Sequence, residues 1–192
     1  MTRIIAGAYG GRRITAPPGD DTRPTADRVR EAMFSGLDAA NRLYGRAFLD
    51  LYAGSGAVGL EAASRGAGRV ALVESDPRAV RVIRDNVASL GAGQVVSVVP
   101  GRVAAVLAGG PGRTGDTSAG FDTVFADPPY ATAEEEIAEA LAALAAGGWL
   151  NEGAQVIVER SKRSPEPVWP RGVTAERSRR YGEAMLWYGR RS

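Results

Sequence analysis

Cysteine and histidine are both absent from the 192-residue chain. Without Cys, the protein has no disulfide, no thiolate metal site and no thiol nucleophile. Without His, it has no Ser-His-Asp triad and no imidazole to shuttle a proton near neutral pH. Any catalysis must therefore use carboxylates, hydroxyls, Arg side chains and backbone groups, and we expect no metal ion.

Long hydrophobic runs are absent as well. No apolar stretch approaches the roughly 20 residues that span a bilayer, so we expect no contact with a membrane. The first residues, from Met1 to Gly7, contain no sustained apolar core, and we therefore expect no signal peptide. These features favour a cytoplasmic protein. The length of 192 residues favours one main domain, which we expect to be a monomer.

Charge is distributed unevenly along the chain. Residues 1–46 carry a net charge of +3, residues 47–159 carry −7, and residues 160–192 carry +6. Because basic segments attract phosphate, this distribution suggests an acidic body flanked by surfaces that bind nucleic acid. A coding bias toward Arg is the alternative explanation, since Lys162 is the only lysine in the sequence.

After residue 46, apolar runs alternate with amphipathic stretches, which is typical of β-α-β units in a mostly parallel sheet. One helix has clear ends, because Asp76 and Pro77 suit its start and Gly91 its stop. Thr132 and Glu135 form a capping box for another helix. The pattern predicts strands at 47–52, 69–74, 95–99, 121–126, 154–159 and 184–188, and helices at 57–65, 77–90, 103–107 and 132–146.

The first 46 residues have a different pattern, which predicts an N-terminal extension before an α/β domain at residues 47–192. A hairpin broken by glycines is expected at residues 3–14. Thr25 is suited to cap a helix that runs through Leu43, with Val29, Met33 and Leu37 on one face. Within the domain, the segment 108–120 is rich in Gly, Pro, Ser and Thr, and we expect a mobile surface loop without chemistry of its own.

A glycine-rich turn follows the first strand of the predicted domain. Gly54, Gly56 and Gly59 form a G-x-G-x-x-G pattern, which lets a ligand approach bare backbone at a helix N-terminus. Glu74 lies at the end of the next strand, where a carboxylate can bind both hydroxyls of a ribose. A dinucleotide and S-adenosylmethionine both fit this pattern, and a purely structural turn is the alternative. Asp50 would repel a pyrophosphate but suit an ammonium group, so it favours S-adenosylmethionine.

The fourth strand of the domain ends in Asp127-Pro128-Pro129-Tyr130. Ligands of open α/β sheets bind at the carboxyl ends of the strands, so this motif is expected to face the glycine turn. The Asp127 carboxylate and the Pro128 carbonyl can accept both hydrogens of an exocyclic amine, while Tyr130 stacks on the ring. These contacts free the nitrogen lone pair to attack a sulfonium methyl, and Asp127 can take up the released proton. A stiff strand exit without chemistry is the alternative.

With these two motifs, the sequence resembles the class I S-adenosylmethionine-dependent amino-methyltransferases. Further segments make it similar to the bacterial 16S rRNA guanine-N2 methyltransferases of the RsmD type: residues 3–7, 11–13, 23–34 (RPTADRVREAMF) and 181–183 (YGE). The resemblance covers essentially the whole chain. It implies an α/β, Rossmann-like class I methyltransferase fold, with a seven-stranded, mostly parallel sheet whose last strand is antiparallel.

The resemblance also implies a function, which is methyl transfer from S-adenosylmethionine to N2 of one guanine in 16S rRNA. The substrate would be the small ribosomal subunit or its assembly intermediate. Contact with the target amine is assigned to Asp127, Pro128, Pro129 and Tyr130. Binding of the cofactor is assigned to Asp50, Tyr52, Gly54, Ser55, Gly56, Glu74, Ser75 and Arg102. Docking on rRNA is assigned to Arg3, Arg12, Arg13, Arg23, Thr25, Arg28 and Arg30 of the N-terminal extension.

Some of these positions support a second interpretation. Arg102 stands where the family usually has an acidic residue near the cofactor adenine, so backbone groups would have to contact the adenine amine. Arg28 and Arg30 fit a solvated helix face, paired with nearby acidic side chains, nearly as well as they fit phosphate binding. Arg12 and Arg13 have no acidic residues close in sequence, and for them phosphate contact is favoured.

The 127–130 motif does not separate guanine N2 from adenine N6 or cytosine N4, because all three are exocyclic amines. An adenine or cytosine methyltransferase that acts on DNA or RNA is therefore a second hypothesis. A nucleotide- or RNA-binding module without catalysis is a third. A dehydrogenase fits least, since nothing in the sequence marks a hydride-transfer site. Methylation at pyrimidine C5 is excluded, because it needs a Cys nucleophile.

Overall fold

Helices cover both faces of a seven-stranded sheet, with a short hairpin at the N-terminus. The computed structural model describes residues 2–19, 24–115 and 120–192, and all their side chains except those of Pro24 and Thr25. The elements in chain order are β1 (Thr2–Arg3), β2 (Arg13–Ile14), α1 (Pro24–Ala39), β3 (Ala47–Asp50), α2 (Ala57–Ser64), β4 (Arg69–Glu74), α3 (Pro77–Leu90), β5 (Val96–Pro100), α4 (Val103–Ala108), β6 (Phe121–Ala126), α5 (Glu134–Ala146), β7 (Leu150–Ser161), β8 (Val173–Tyr181) and β9 (Ala184–Arg191).

The large sheet has the strand order β5-β4-β3-β6-β7-β9-β8, and β1 pairs separately with β2. Strands β3 to β7 are parallel to one another, whereas β9 is antiparallel to both of its neighbours. This arrangement confirms the seven-stranded sheet with an antiparallel last strand. β3 has β4 on one side and β6 on the other. The strands that follow β3 in the chain are therefore added first toward one edge of the sheet and then toward the other. A crevice therefore opens at the carboxyl ends of β3 and β6.

The apolar core lies in two layers, one on each face of the sheet. α1, α2, α3 and the N-terminal hairpin cover one face, and α4 and α5 cover the other. Val29, Met33 and Leu37 of α1 are all buried, which confirms the predicted apolar face of this helix. In the same layer, Phe34 stacks on Phe48 of β3 with the ring centroids 5.8 Å apart. The N-terminal extension therefore shares its core with the rest of the chain.

Hydrogen bonds from α2 and α3 hold the N-terminal extension in place. The Glu61 carboxylate of α2 is fully buried and accepts from the backbone N–H groups of Ile5 (2.8 Å) and Ala6 (3.0 Å). The side-chain amide of Asn86, in α3, accepts from the Thr15 N–H and donates to the Thr15 carbonyl, both at 2.8 Å. The extension is thereby fixed on the same face as the crevice. The predicted division of the chain at residue 46 stays a prediction.

Most predicted elements of the domain are present within two residues of their expected bounds, and β4, α3 and β6 match in full. At the start of α3, the Asp76 carboxylate accepts from the Arg78 N–H at 2.9 Å, and Pro77 is the first helical residue. Gly91 ends the helix in the left-handed conformation, with φ of 68°. β7 and β9 are longer than predicted. β8 is absent from the predicted strands. Seven consecutive residues of this strand are exposed in the structure, so its sequence carries no alternation of apolar residues.

Both predicted ends of α1 and the predicted start of α5 are wrong. α1 begins at Pro24, so Thr25 lies inside its first turn and is not the N-cap. This helix stops at Ala39 because Asn41 adopts a left-handed φ of 54°, and the Arg42 N–H then bonds the Leu37 carbonyl at 2.9 Å. The predicted capping box fails as well, since α5 has Ala133 at its N-cap without a side-chain hydrogen bond.

The segment 108–120 contains more structure than a mobile loop. Pro111–Thr114 forms a short 3₁₀ helix, and Thr114 is buried against β5. The Ser97 hydroxyl, on β5, donates to the Thr114 carbonyl at 3.2 Å. Residues 116–119 lie outside the described part of the chain. In that described part, no helix combines the length and the apolar character that a bilayer crossing requires.

Replacing Glu61 with Ala should weaken the docking of the extension, because the Ile5 and Ala6 N–H groups lose their acceptor. The buried Arg65, whose Nε donates to Glu61 at 2.8 Å, loses a charged partner as well. We expect the free energy of unfolding in urea to fall by about 2–4 kcal/mol. Glu139→Ala, at an exposed position of α5, is the matched control and should change it by less than about 0.5 kcal/mol. Equal effects of the two variants would contradict this role of Glu61.

Candidate active site

Four acidic residues lie at the carboxyl ends of four adjacent parallel strands: Glu74 on β4, Asp50 on β3, Asp127 just after β6 and Glu159 on β7. All four line one cavity of about 450 Å³. The glycine turn, the 127–130 motif, Thr2 and the first turns of α1 complete its wall. The structure therefore brings the two sequence motifs together, with the N-terminal extension at their side.

The glycine turn lets α2 begin close to the sheet. Gly56, the N-cap of α2, is left-handed with φ of 82°. A Cβ on Gly59 would lie 1.9 Å from the Leu72 side chain of β4, so any other residue would push the helix away. The Ser55 hydroxyl accepts from the Ala57 N–H at 3.3 Å and supports the first turn. The turn thus places backbone groups and the start of a helix against the cavity.

Asp50 is a buried carboxylate with a vacant acceptor. Its Oδ2 accepts from the Gly59 N–H at 3.2 Å, whereas its Oδ1 has no hydrogen-bond partner in the part of the chain that is described. Burial and, to a smaller extent, the charges of Asp127 and Glu74 raise the pKa of Asp50 to about 7, although the backbone N–H groups of Gly59 and Tyr52 oppose this shift. An ammonium group at Oδ1 would satisfy the free oxygen and favour the ionised form. The site therefore fits the ammonium end of S-adenosylmethionine.

Glu74 connects the glycine turn to the next strand. Its Oε2 accepts from the Gly54 N–H and its Oε1 from the Asp76 N–H, each at 2.8 Å. These bonds fix the carboxylate while each oxygen keeps a second lone pair, which suits two ribose hydroxyls. Ser75, the next residue, is exposed at the edge of the same cavity.

A second cavity of about 440 Å³ adjoins the first. Tyr52, Glu74, Ser75 and Pro129 line both, so the two form one long cleft with Glu74 near its middle. Arg102 lies in the wall of the second cavity, where its backbone precedes α4 and its side chain is exposed. The second cavity is therefore the place for an adenine, if the ribose binds Glu74.

The 127–130 motif presents one free carbonyl and one exposed ring. The Pro129 carbonyl accepts from the Thr132 N–H at 2.9 Å, but no described residue donates to the Pro128 carbonyl. Tyr130 is 74% exposed, so its ring is open to a stacking partner. Asp127 is exposed beside them. These groups match the acceptors and the flat face that an exocyclic amine on a nucleobase requires.

Arg160 holds this motif in place, and the sequence analysis did not identify it. Its buried guanidinium donates to the Pro129 carbonyl (3.4 Å), the Thr132 carbonyl (3.2 Å) and Glu134 Oε1 (2.8 Å). It thereby joins the end of β7 to the turn that follows the motif. The sequence signal was weak, because the predicted strand stopped one residue before Arg160. In the described ranges, no three acidic side chains are placed to hold a metal ion.

Glu159 was missed as well. The rule that identified Asp127, an acid at the carboxyl end of a buried strand, applies equally to Glu159. Burial and, to a smaller extent, the neighbouring charge of Asp127 raise the pKa of Glu159 to about 8. From the sequence, Glu159 was predicted only as the last residue of a strand.

The arginines proposed for RNA docking have different environments. Arg3, Arg13 and Arg28 are exposed on β1, β2 and α1. Arg12 is exposed, but its guanidinium donates to the carbonyls of Ser89 and Leu90 at the end of α3. Arg23 and the side chain of Thr25 lie outside the described residues. Contact of this group with nucleic acid stays a prediction.

Arg30 differs from the others because it is buried in the wall of the cavity. It donates to the Arg3 carbonyl at 2.7 Å and to Asp27 Oδ1 at 3.2 Å. Burial lowers the pKa of Arg30, while the charges of Glu61 and Asp27 raise it. The alternative interpretation of a solvated helix face is therefore wrong for Arg30, although the pairing with a nearby acid that it included is present. The assignment of Arg30 to RNA docking stays a prediction.

The raised pKa of Asp50 makes stability depend on pH. The folded protein holds this proton between about pH 4 and pH 7, where the unfolded chain has lost it, so Asp50 lowers the free energy of unfolding as pH rises through that range. Asp50→Asn removes this dependence and should be about 2–4 kcal/mol more stable than the unsubstituted protein at pH 8. Urea unfolding at pH 5 and pH 8 measures it, with the exposed Asp85→Asn as control. A difference that does not grow with pH would contradict the assignment.

Comparisons with known proteins agree with this geometry. A family model described as Conserved hypothetical protein 95 matches residues 2–190. Ribosomal RNA small subunit methyltransferase D of Escherichia coli K12 is 34% identical over 181 residues, which are 94% of this chain and 85% of that protein. The solved structure of yhhF from Escherichia coli is also 34% identical, with a TM-score of 0.82, and the match covers 100% of this chain and 98% of that one.

A more distant structure shows the same fold. Magnesium protoporphyrin IX methyltransferase (ChlM) of Synechocystis PCC 6803, solved with bound S-adenosylmethionine, has a TM-score of 0.66 at 15% identity. The match covers 91% of this chain and 87% of that one. The Rossmann-like methyltransferase fold and the predicted cofactor, S-adenosylmethionine, are confirmed. The chain belongs to the RsmD family, described as Conserved hypothetical protein 95, and is an S-adenosylmethionine-dependent methyltransferase.

Proposed function

We propose that the protein methylates the exocyclic N2 of a guanine in 16S rRNA. The observation that carries this proposal is the position of the Asp127 carboxylate and the free Pro128 carbonyl in one cavity with the vacant Oδ1 of Asp50. The name of the Escherichia coli relative, ribosomal RNA small subunit methyltransferase D, supports the choice of substrate. The substrate would be the small subunit or an assembly intermediate of it.

The cofactor would lie along the cleft that the two cavities form. Asp50 would accept from its ammonium group and Glu74 from its ribose hydroxyls, while the backbone near Arg102 would border its adenine. Tyr52, Gly54, Ser55, Gly56 and Ser75 line or shape the same cleft. When bound, S-adenosylmethionine supplies a methyl group that is electrophilic because it is attached to a sulfonium.

The 127–130 motif prepares the amine for attack. Asp127 and the Pro128 carbonyl accept its two hydrogens, which draws the nitrogen toward sp³ geometry and makes its lone pair available. Tyr130 stacks on the base and fixes the direction of that lone pair. Pro129 stiffens the turn, and Arg160 holds its carbonyl. Most of the rate enhancement would come from this alignment.

Asp127 also provides for the proton. Once the new N–C bond forms, the nitrogen is positively charged and must lose one proton. The Asp127 carboxylate, already bonded to that nitrogen, accepts the proton directly or through water. Because Asp127 is exposed, the proton can then pass to solvent. No group of the protein becomes covalently modified in this scheme, which is consistent with a chain that lacks Cys and His.

The N-terminal extension is placed to bind the RNA around the target base. Thr2, Ala26 and Asp27 line the cavity, so β1 and α1 form part of its rim. Exposed arginines on the same elements would contact phosphates and orient the RNA without reading its sequence. Arg12 has further N–H donors on its guanidinium for this purpose.

The test uses labelled S-adenosylmethionine and small ribosomal subunits from cells that lack this protein. After the transfer, the RNA is digested and the labelled nucleoside is identified. The proposal predicts N2-methylguanosine. Label in N6-methyladenosine or N4-methylcytidine would replace guanine with adenine or cytosine as the target. Tight binding of RNA without any transfer would favour a module that has no catalytic role.

Replacing Asp127 with Ala should abolish turnover while the cofactor still binds. The variant loses an acceptor for the amine and the acceptor for the proton, and we expect kcat to fall by at least about 10²-fold. The charge of Asp127 raises the pKa of Asp50, so its removal should not weaken the binding of the cofactor. Calorimetry measures that binding, and Glu135→Ala, at an exposed position on α5, is the control. Turnover near that of the control would contradict the role of Asp127.

A further inference from the structure

Glu159 occupies a position that the proposed chemistry does not use. Ala126 of β6 pairs with Val158 of β7, so Asp127 and Glu159 follow side by side on adjacent parallel strands. Glu159 is two residues after Ile157, whose side chain belongs to the core layer beneath α1, so Glu159 faces the same side of the sheet. There it lines the cavity together with Asp127, Pro128 and the α1 residues.

The Glu159 carboxylate is half-buried and lacks a hydrogen-bond donor among the described residues. No hydrogen bond to this side chain is formed within the described residues, and its nearest charged influence is the like charge of Asp127. Burial and then Asp127 raise its pKa, which means that the empty cavity disfavours the ionised form. The ionised form of such a carboxylate becomes more stable when a ligand donates a hydrogen bond from an N–H group. The cavity therefore lacks a donor at this point.

The order of the four acids indicates which ligand supplies that donor. Across the sheet the order is Glu74, Asp50, Asp127, Glu159, because the strands that carry them are ordered β4-β3-β6-β7. The charges of Asp127 and Glu74 both raise the pKa of Asp50. Only the charge of Asp127 is found to raise the pKa of Glu159. Glu159 thus lies beyond Asp127 from the cofactor end of the cleft. In the proposed complex, this position would be nearer to the base than to the cofactor.

We infer that Glu159 accepts a hydrogen bond from the ring N1–H of the target guanine and thereby selects guanine from the other bases that have an exocyclic amine. The inference rests on the proposed function. In guanine, the 2-amine is flanked by two ring nitrogens: N1 carries a hydrogen, and N3 carries a lone pair. In adenine and cytosine, the ring nitrogen next to the amine carries a lone pair instead. Above pH 8, where Glu159 is ionised and where the two bases are compared, its carboxylate attracts the first arrangement and repels the second.

This contact supplies what the 127–130 motif lacks. Asp127 and Pro128 bind any exocyclic amine, so they accept all three bases equally. Glu159 reads the neighbouring ring atom and separates them. Discrimination by a well-placed hydrogen-bonding group of this kind amounts to roughly 10-fold to 100-fold against the wrong base.

The test compares guanine with 2-aminopurine at the target position of reconstituted small subunits, once that position has been mapped. 2-Aminopurine has the same 2-amine but a lone pair at N1, so it isolates the N1–H contact. We expect the unsubstituted protein to favour guanine in kcat/KM by about 10-fold to 100-fold. Glu159→Gln should lower this preference at least about tenfold, because its amide can donate to N1 of 2-aminopurine and can still accept from guanine.

The ratio of the two substrates is measured within each variant, so a loss of folded protein cancels. Glu152→Gln, at an exposed position on the same strand β7, is the matched control and should keep the original preference. An unchanged preference in Glu159→Gln, with guanine still methylated, would overturn the role of Glu159 and leave the proposed function intact. Transfer by the unsubstituted protein to adenine or cytosine, with none to guanine, would overturn both.

Discussion

Repulsion between carboxylates at one edge of the sheet is the constraint on which the site depends. Parallel strands end together, and four of them carry an acid at or just beyond that end. Within the described residues, backbone N–H groups bind the carboxylates of Glu74 and Asp50, while Oδ1 of Asp50 accepts no hydrogen bond. We propose that the acids at this edge bind the groups that the substrates carry, which are an ammonium, an exocyclic amine and a ring N–H. Substrate binding would then relieve part of the repulsion between these acids.

The N-terminal extension adds to this constraint because it buries the acids. α1 and β1 cover the face of the sheet to which these side chains point, and Glu61 and Asn86 hold the segment between them. The same elements form the rim of the cavity and carry exposed arginines. One segment therefore helps to bury the acids beneath it and carries exposed arginines that we propose bind RNA. The positive potential of that surface also draws a polyanion toward an acidic cavity that would otherwise repel it.

Local signals in the sequence were sufficient for most of the fold. The bounds of α3 followed from Asp76, Pro77 and Gly91, because caps act through neighbouring residues. The end of α1 did not follow, since it depends on the left-handed Asn41, and β8 did not because its exposed residues have no apolar period. The two motifs located the site, but Glu159 and Arg160 have meaning only through the pairing of β6 with β7. Such long-range pairing cannot be predicted from any short segment of the sequence.

Proton release on cofactor binding tests the account most directly. Near pH 6 we expect Asp50 to be largely protonated in the free protein, and an ammonium at its Oδ1 would displace that proton. Titration calorimetry with S-adenosylhomocysteine, in buffers of different ionisation enthalpy, counts the protons released. We expect the binding of S-adenosylhomocysteine to release nearly one proton per site. Asp50→Asn should eliminate this release. Binding without proton release, or the same release from Asp50→Asn, would contradict it.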